Sequence, residues 1–65
     1  MSITEARAFV GKRCAITWTD RSGQEYQNVG TIRTTRFVPM YGAYVVTETD
    51  EVSLDKITGI RPLQG

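Results

Sequence analysis

The stretch "EYQNVGTIRTTRF", residues 25–37, has the composition of a β-strand from end to end, rich in β-branched and aromatic side chains. Its two aliphatic residues, Val29 and Ile32, stand three positions apart. Strand side chains alternate faces with period two, so a regular strand sends these two to opposite sides. Gly30 lies between them, and a glycine inside a strand commonly marks a bulge or a sharp bend. One slip at Gly30 brings Val29 and Ile32 to the core together, with Thr34 and Val38 following Ile32. Arg33, Thr35 and Phe37 then share the outer face, while Arg36 falls on the inward parity and escapes at the strand's end. The stretch predicts one long strand, about 25–38, bent at its glycine.

Working outward, "SITEARAFVG" places Ser2 three residues ahead of Glu5, the capping-box spacing in which each side chain satisfies a backbone N–H at the helix start. Ile3, Ala6 and Val10 recur at helical spacing with Phe9 beside them, and Gly11 suits a left-handed helix end. A short helix is expected at about 3–9, dependent on packing for its stability. From Lys12 the period changes: Cys14, Ile16 and Trp18 alternate with Arg13, Ala15, Thr17 and Thr19, predicting a half-buried strand over 12–19. Asp20, Ser22 and Gly23 turn the chain into the long strand. Pro39 and Gly42 make a second turn, and further strands are expected at 43–48, 51–57 and 58–62. A short helix followed by five closely spaced strands predicts an all-β domain over 1–65, a small barrel that hides its sheet edges by closure or near-closure.

The bulk composition agrees with one small folded unit. Sixty-five residues bury only about 60% of the surface of the unfolded chain, so stability is marginal and self-association would help. The hydrophobic fraction of 40% excludes disorder. A single cysteine cannot form an internal disulfide, and neither a charged-then-apolar leader nor a membrane-length apolar run is present, so a cytoplasmic setting without a membrane partner is expected. A net charge of +1 gives no global footprint of a nucleic-acid binder.

The order of parts resembles the Sm-like barrel, a branch of the small Src-homology-type (SH3-like) barrels, over nearly the whole chain. "VGKRCAITWTDRSGQEYQNVGTI" is similar to that family's first motif, "gk-x-v-x-v-x-l-x-dG-x-x-x-x-G-x-l", and "VSLDKITGIRPL" to its closing segment. Gly30 stands where the family's strand-two glycine lets the chain bend around the barrel. "SLDKITGI" also resembles the end of the bacterial Rho-binding antiterminator family. The resemblance implies a five-stranded Sm-like (SH3-like) barrel preceded by a short helix, and an RNA-binding or factor-binding regulator. The uridine pocket of Sm-like proteins needs an Asp and an Asn after that glycine. Here the places read "RTTRFV", so the RNA-ring activity does not carry over. "YGAYVVTETDEVSLDKI" is distantly similar to the plasmid-type dihydrofolate reductase, whose substrate-binding tract is replaced by Ser53, Leu54 and Asp55.

Catalytic and metal chemistry lack their usual side chains. The chain has no histidine, and Cys14 falls on the buried parity, where a thiol is usually inert, so no enzyme, cofactor or metal site is expected. Glu48, Asp50 and Glu51 read as a solvated hairpin tip. The remaining functional signal is basic and aromatic: Arg33, Arg36 and Phe37, with Met40, Tyr41 and Tyr44 around the following turn, and a secondary basic rim of Lys12, Arg13 and Arg21. Exposed apolar groups of this kind mark protein contacts, while aromatic faces and guanidinium groups also suit single-stranded nucleic acid. The leading expectation is a non-enzymatic binding module of a bacterial or phage regulatory system, docking on a protein partner through this surface. RNA or single-stranded DNA binding by the same residues is the second reading, and a structural homo-oligomer or pore-type reductase the third.

Overall fold

The structure, a computed structural model, describes residues 1–63; the last two residues of the expected 1–65 domain lie outside the described residues. Helix α1 (Ile3–Arg7) is followed by β1 (Arg13–Thr19), β2 (Glu25–Val38), β3 (Gly42–Thr47), β4 (Glu51–Ser53) and β5 (Ile57–Pro62). The strands form one antiparallel sheet in the order β4-β3-β2-β1-β5. β1 to β4 make a meander, and β5 returns to the far side of β1. β4 and β5 stay unpaired with each other, so the sheet is open. No helix among the described residues is long and apolar enough to cross a membrane.

The helix starts as its sequence dictates. Ser2 Oγ accepts the Glu5 N–H at 3.1 Å while Glu5 Oε1 accepts the Ser2 N–H at 3.3 Å. It ends earlier than its spacing predicts, at Arg7, and Ala8–Gly11 continue as turns, with Gly11 at φ 88. Ile3, Ala6 and Phe9 face the core, whereas Val10 is exposed. The expected strand at 51–57 is also shorter: β4 stops at Ser53, and Leu54–Lys56 turn the chain into β5. Leu54 sits in that turn yet is buried, which fixes the corner to the core.

All five strands and the helix supply one core: Cys14 and Ile16 from β1, Ile32 from β2, Val45 from β3, Val52 from β4, Ile57 from β5 and Ala6 from α1. One sheet achieves this only by curling until its two edge strands approach the same interior. Ile16, Ile32 and Val45 are the largest wholly buried side chains, and each contributes about 1.5–3 kcal/mol by leaving water.

β2 holds the halves together. Its residues 25–31 pair with β1 in unbroken register, Gly30 opposite Cys14 and Val29 opposite Ala15, whereas residues 32–38 pair with β3. The slip expected at Gly30 is therefore absent. The register shifts further on, between Ile32 and Thr34, leaving Arg33 as the extra residue. Val29 accordingly faces outward at 49% exposure while Ile32 is fully buried, the parity of a regular strand. Beyond the bulge, Thr35 shares a face with buried Val45, and Phe37 with core-packed Ala43. Thr34 and Arg36 lie on the outer face with Val46 and Tyr44. The expected assignment of Thr35 and Phe37 outward and Thr34 and Arg36 inward is reversed, because the bulge lies three residues later than the glycine suggests.

Gly30 has a different task. A β-carbon there would come within 2.5 Å of the Glu48 carboxylate. That carboxylate accepts the Thr31 N–H with both oxygens at 3.0 Å. β2 changes partner at this step, and the glycine opens the space through which Glu48 reaches the backbone.

Candidate functional site

The β2–β3 hairpin ends in Pro39, Met40 and Tyr41. Pro39 has no N–H to donate, and the turn is closed by the Tyr41 N–H donating to the Val38 carbonyl at 3.0 Å. Met40 occupies a left-handed conformation, φ 74, the only non-glycine to do so among the described residues. A β-carbon makes this conformation costly. No described residue covers the tip: Met40 is 100% exposed, Tyr41 74% and Phe37 65%. Phe37 is on the core-facing parity but lies where the sheet runs out.

The other residues of the expected binding surface are separated from this tip. Tyr44 is half-buried on the outer face, in register between Arg36 and Ser53. Arg36 reaches across β3 to Glu51, Nη2 to Oε2 at 3.0 Å. Arg33 is exposed at the bulge. The expected basic rim also divides, since Lys12 and Arg13 stand at the start of β1 and Arg21 in the turn beyond its far end. Arg61, which no motif singles out, is brought beside β1 opposite Ala15.

The acidic turn is more structured than a solvated tip. Glu48 holds the Thr31 N–H, Asp50 Oδ2 accepts from Asn28 Nδ2 at 3.4 Å and from Thr49 Oγ1 at 2.9 Å, and Glu51 pairs with Arg36. Thr47 Oγ1, buried, accepts the Asp50 N–H at 3.0 Å and secures the turn from below.

A cleft of about 300 Å³ is lined by Trp18, Asn28, Lys56 and residues 50–53. Trp18 stacks on Tyr26, its cross-strand neighbour, with centroids 4.7 Å apart. The indole N–H is buried without an acceptor. The carboxylates at the rim are already engaged by Asn28, Thr49 and Arg36. Cys14 is no better placed for chemistry. Burial pushes its thiol up, with a smaller opposing pull from Lys12, and Sγ donates to the Lys12 carbonyl at 3.5 Å. A thiol held protonated in a core is a packing group.

No family model, curated protein or solved structure matches this chain.

Proposed function

We propose that this chain is a non-enzymatic binding module, a small barrel of the Sm-like or SH3-like kind, that docks on a protein partner through the tip of its β2–β3 hairpin. A four-strand meander whose fifth strand returns to β1, with a long β2 shared by both halves, supports that choice of fold. A reducing, cytoplasmic compartment suits the buried unpaired Cys14, and a non-enzymatic role suits a chain without histidine, the side chain that most often moves protons near neutral pH.

The observation that carries the docking reading is the exposure of Phe37, Met40 and Tyr41 together on a turn that holds Met40 at positive φ. Local stability favours glycine or asparagine at such a position. A flexible thioether there, flanked by two aromatic rings, gives up stability to show adaptable apolar surface. The tip is convex, so its complement is an apolar recess on the partner. Three side chains cover far less than the roughly 800 Å² per side of a stable interface, so they serve as anchors within a wider contact.

Photo-crosslinking tests this. An ultraviolet-reactive amino acid at position 41 is expected to capture one dominant protein in cells, with the adduct lost in a Phe37→Ser/Met40→Ser chain and absent when the probe sits at position 27. Crosslinking to itself alone, together with a dimer in sedimentation, would replace this reading with a structural homo-oligomer.

A further inference from the structure

Among the described residues five of the seven carboxylates are engaged by hydrogen bonds or an ion pair, the exposed Glu25 and Asp55 excepted, whereas the cations are deployed differently. Glu5 closes the capping box, Asp20 sits inside its own turn, Glu48 holds the Thr31 N–H, Asp50 bonds Asn28 and Thr49, and Glu51 pairs with Arg36. Among the described residues Arg36 is the one cation in an ion pair. Lys12, Arg13, Arg33 and Arg61, all exposed, meet at one corner of the sheet.

Register places them. Cys14 and Ile16 face the core, so Arg13 and Ala15 face outward. Arg61 lies opposite Ala15, which makes Arg13 and Arg61 diagonal neighbours on the outer face, roughly 7–8 Å apart. Ala15 is only 2% exposed despite its outward position, as expected where long arginine stems lie over a small residue. The Lys12 carbonyl accepts the Ile32 N–H at 3.0 Å, setting the Lys12 backbone beside the step from Ile32 to the bulged Arg33, with its exposed side chain at the end of the sheet on the parity of Cys14 rather than on the outer face. Glu48 is the carboxylate near this corner, and it is turned onto the backbone of Thr31.

We infer that this corner, Lys12, Arg13, Arg33 and Arg61 where β5, β1 and β2 meet, binds the sugar–phosphate backbone of a single-stranded nucleic acid. Like charges held as sheet neighbours repel, and a polyanion relieves the repulsion. Three of the four are arginines, whose planar forks match phosphate oxygens. The corner spans three strands, about 10 Å across, the footprint of a few phosphates of one strand. The exposed aromatics of the tip lie at the other end of β2's second half, so bases are not stacked here and recognition is independent of sequence. A net charge of +1 is thus compatible with phosphate binding, because the positive charge is local.

Fluorescence anisotropy with a labelled twenty-nucleotide oligothymidylate tests the inference across a salt series. Four phosphate contacts on a single strand predict a log–log slope of about −2 to −3. Arg13→Gln/Arg61→Gln, which removes both charges while keeping a polar side chain at each position, is expected to weaken binding about tenfold or more at low salt and to flatten the slope by about 1.4. Arg13→Lys/Arg61→Lys is expected to restore the slope. No binding at low salt, or an unchanged slope in the glutamine variant, overturns the inference, and so does polyglutamate competing as well as unlabelled oligothymidylate. Phe37→Ser/Met40→Ser should leave oligonucleotide binding intact, so this site and the docking tip stand or fall separately.

Discussion

The two turns that begin and end β2 are built in opposite ways. At the β1–β2 turn, Asp20 Oδ1 accepts the Ser22 N–H at 2.9 Å, the Ser22 hydroxyl at 2.7 Å and the Gln24 N–H at 3.0 Å, while Oδ2 accepts the Tyr26 hydroxyl at 3.1 Å. Tyr26 in turn stacks on Trp18. At the β2–β3 turn no side-chain hydrogen bond is made by Pro39, Met40 or Tyr41 among the described residues, and a strained methionine is left bare to solvent. The first turn is wired for its own stability. The second leaves apolar side chains exposed on a turn that holds a non-glycine at positive φ, a local cost its own hydrogen bonds do not offset.

The contrast presumes that both turns hang from a common frame, and the largest expected effect tests that frame. Ile32→Ala, at the residue where β2 passes from one partner to the other, should cost about 2–5 kcal/mol and loosen both hairpins together in hydrogen exchange. If only one hairpin loosens, the halves are independent. Next in size is Asp20→Asn. Hydrogen bonds from the Ser22 side chain first, then from Gln24 and Tyr26, hold the Asp20 carboxyl below its ordinary value. Its contribution is therefore complete above the unfolded carboxyl's pKa of about 3.9 and is lost as pH falls through the lower folded value. Thermal midpoints followed down through the carboxylate range should drop in the native chain and flatten in Asp20→Asn. The Tyr26 phenol, raised by its bond to Asp20 and by that carboxylate's charge, works in the other direction: its contribution holds below about pH 10 and fades as pH climbs through the raised value.

Met40→Gly should move stability upward by about 1 kcal/mol through relief of the left-handed conformation, a rise of some 4–8 °C in Tm for a domain of this size, while crosslinking from position 41 weakens. A Met40→Gly chain no more stable than the native one would remove the strain from the comparison. Gly30→Ala should lose about 1 kcal/mol by displacing the Glu48 carboxylate from the Thr31 N–H, and a cycle with Glu48→Gln should be non-additive. Smallest is Arg36→Ala: the Arg36–Glu51 pair is exposed on both sides, and its removal should shift stability by less than about 1 kcal/mol.

Much of the frame is legible in the residues themselves. The capping box, the alternation Cys14–Ile16–Trp18, the full length of β2 and the turns at Asp20–Gly23 and Pro39–Gly42 are set by local chemistry, and local chemistry is what a sequence displays. The bulge is not of that kind. It sits at Arg33 because β2 has just exchanged β1 for β3, and an exchange of partners leaves no mark on neighbouring residue types. Gly30 draws attention as a bend marker, yet its purpose is room for the carboxylate of Glu48, far along the chain on the turn after β3. The aromatic tip could be read from "FVPMYGAY", whereas Arg61 could not be joined to Arg13 without the β1–β5 register. A signal was present in the alternation of Cys14 and Ile16 with Arg13 and Ala15, which already turned Arg13 outward.

The return of β5 to β1 also bears on how the chain folds. Each hairpin of the meander closes a short loop, but the ladder that sets Cys14 against Pro62 joins strands at opposite ends of the strand sequence. Closing so long a loop carries the larger entropic penalty, so the meander is expected to assemble early and β5 to dock last. Substitutions at Ile60, opposite Ile16 in that ladder, should then speed unfolding while leaving the refolding rate nearly unchanged. Until β5 arrives, the outer edge of β1 is bare, and Arg13 has no Arg61 beside it. The same late step that finishes the sheet also assembles the basic corner.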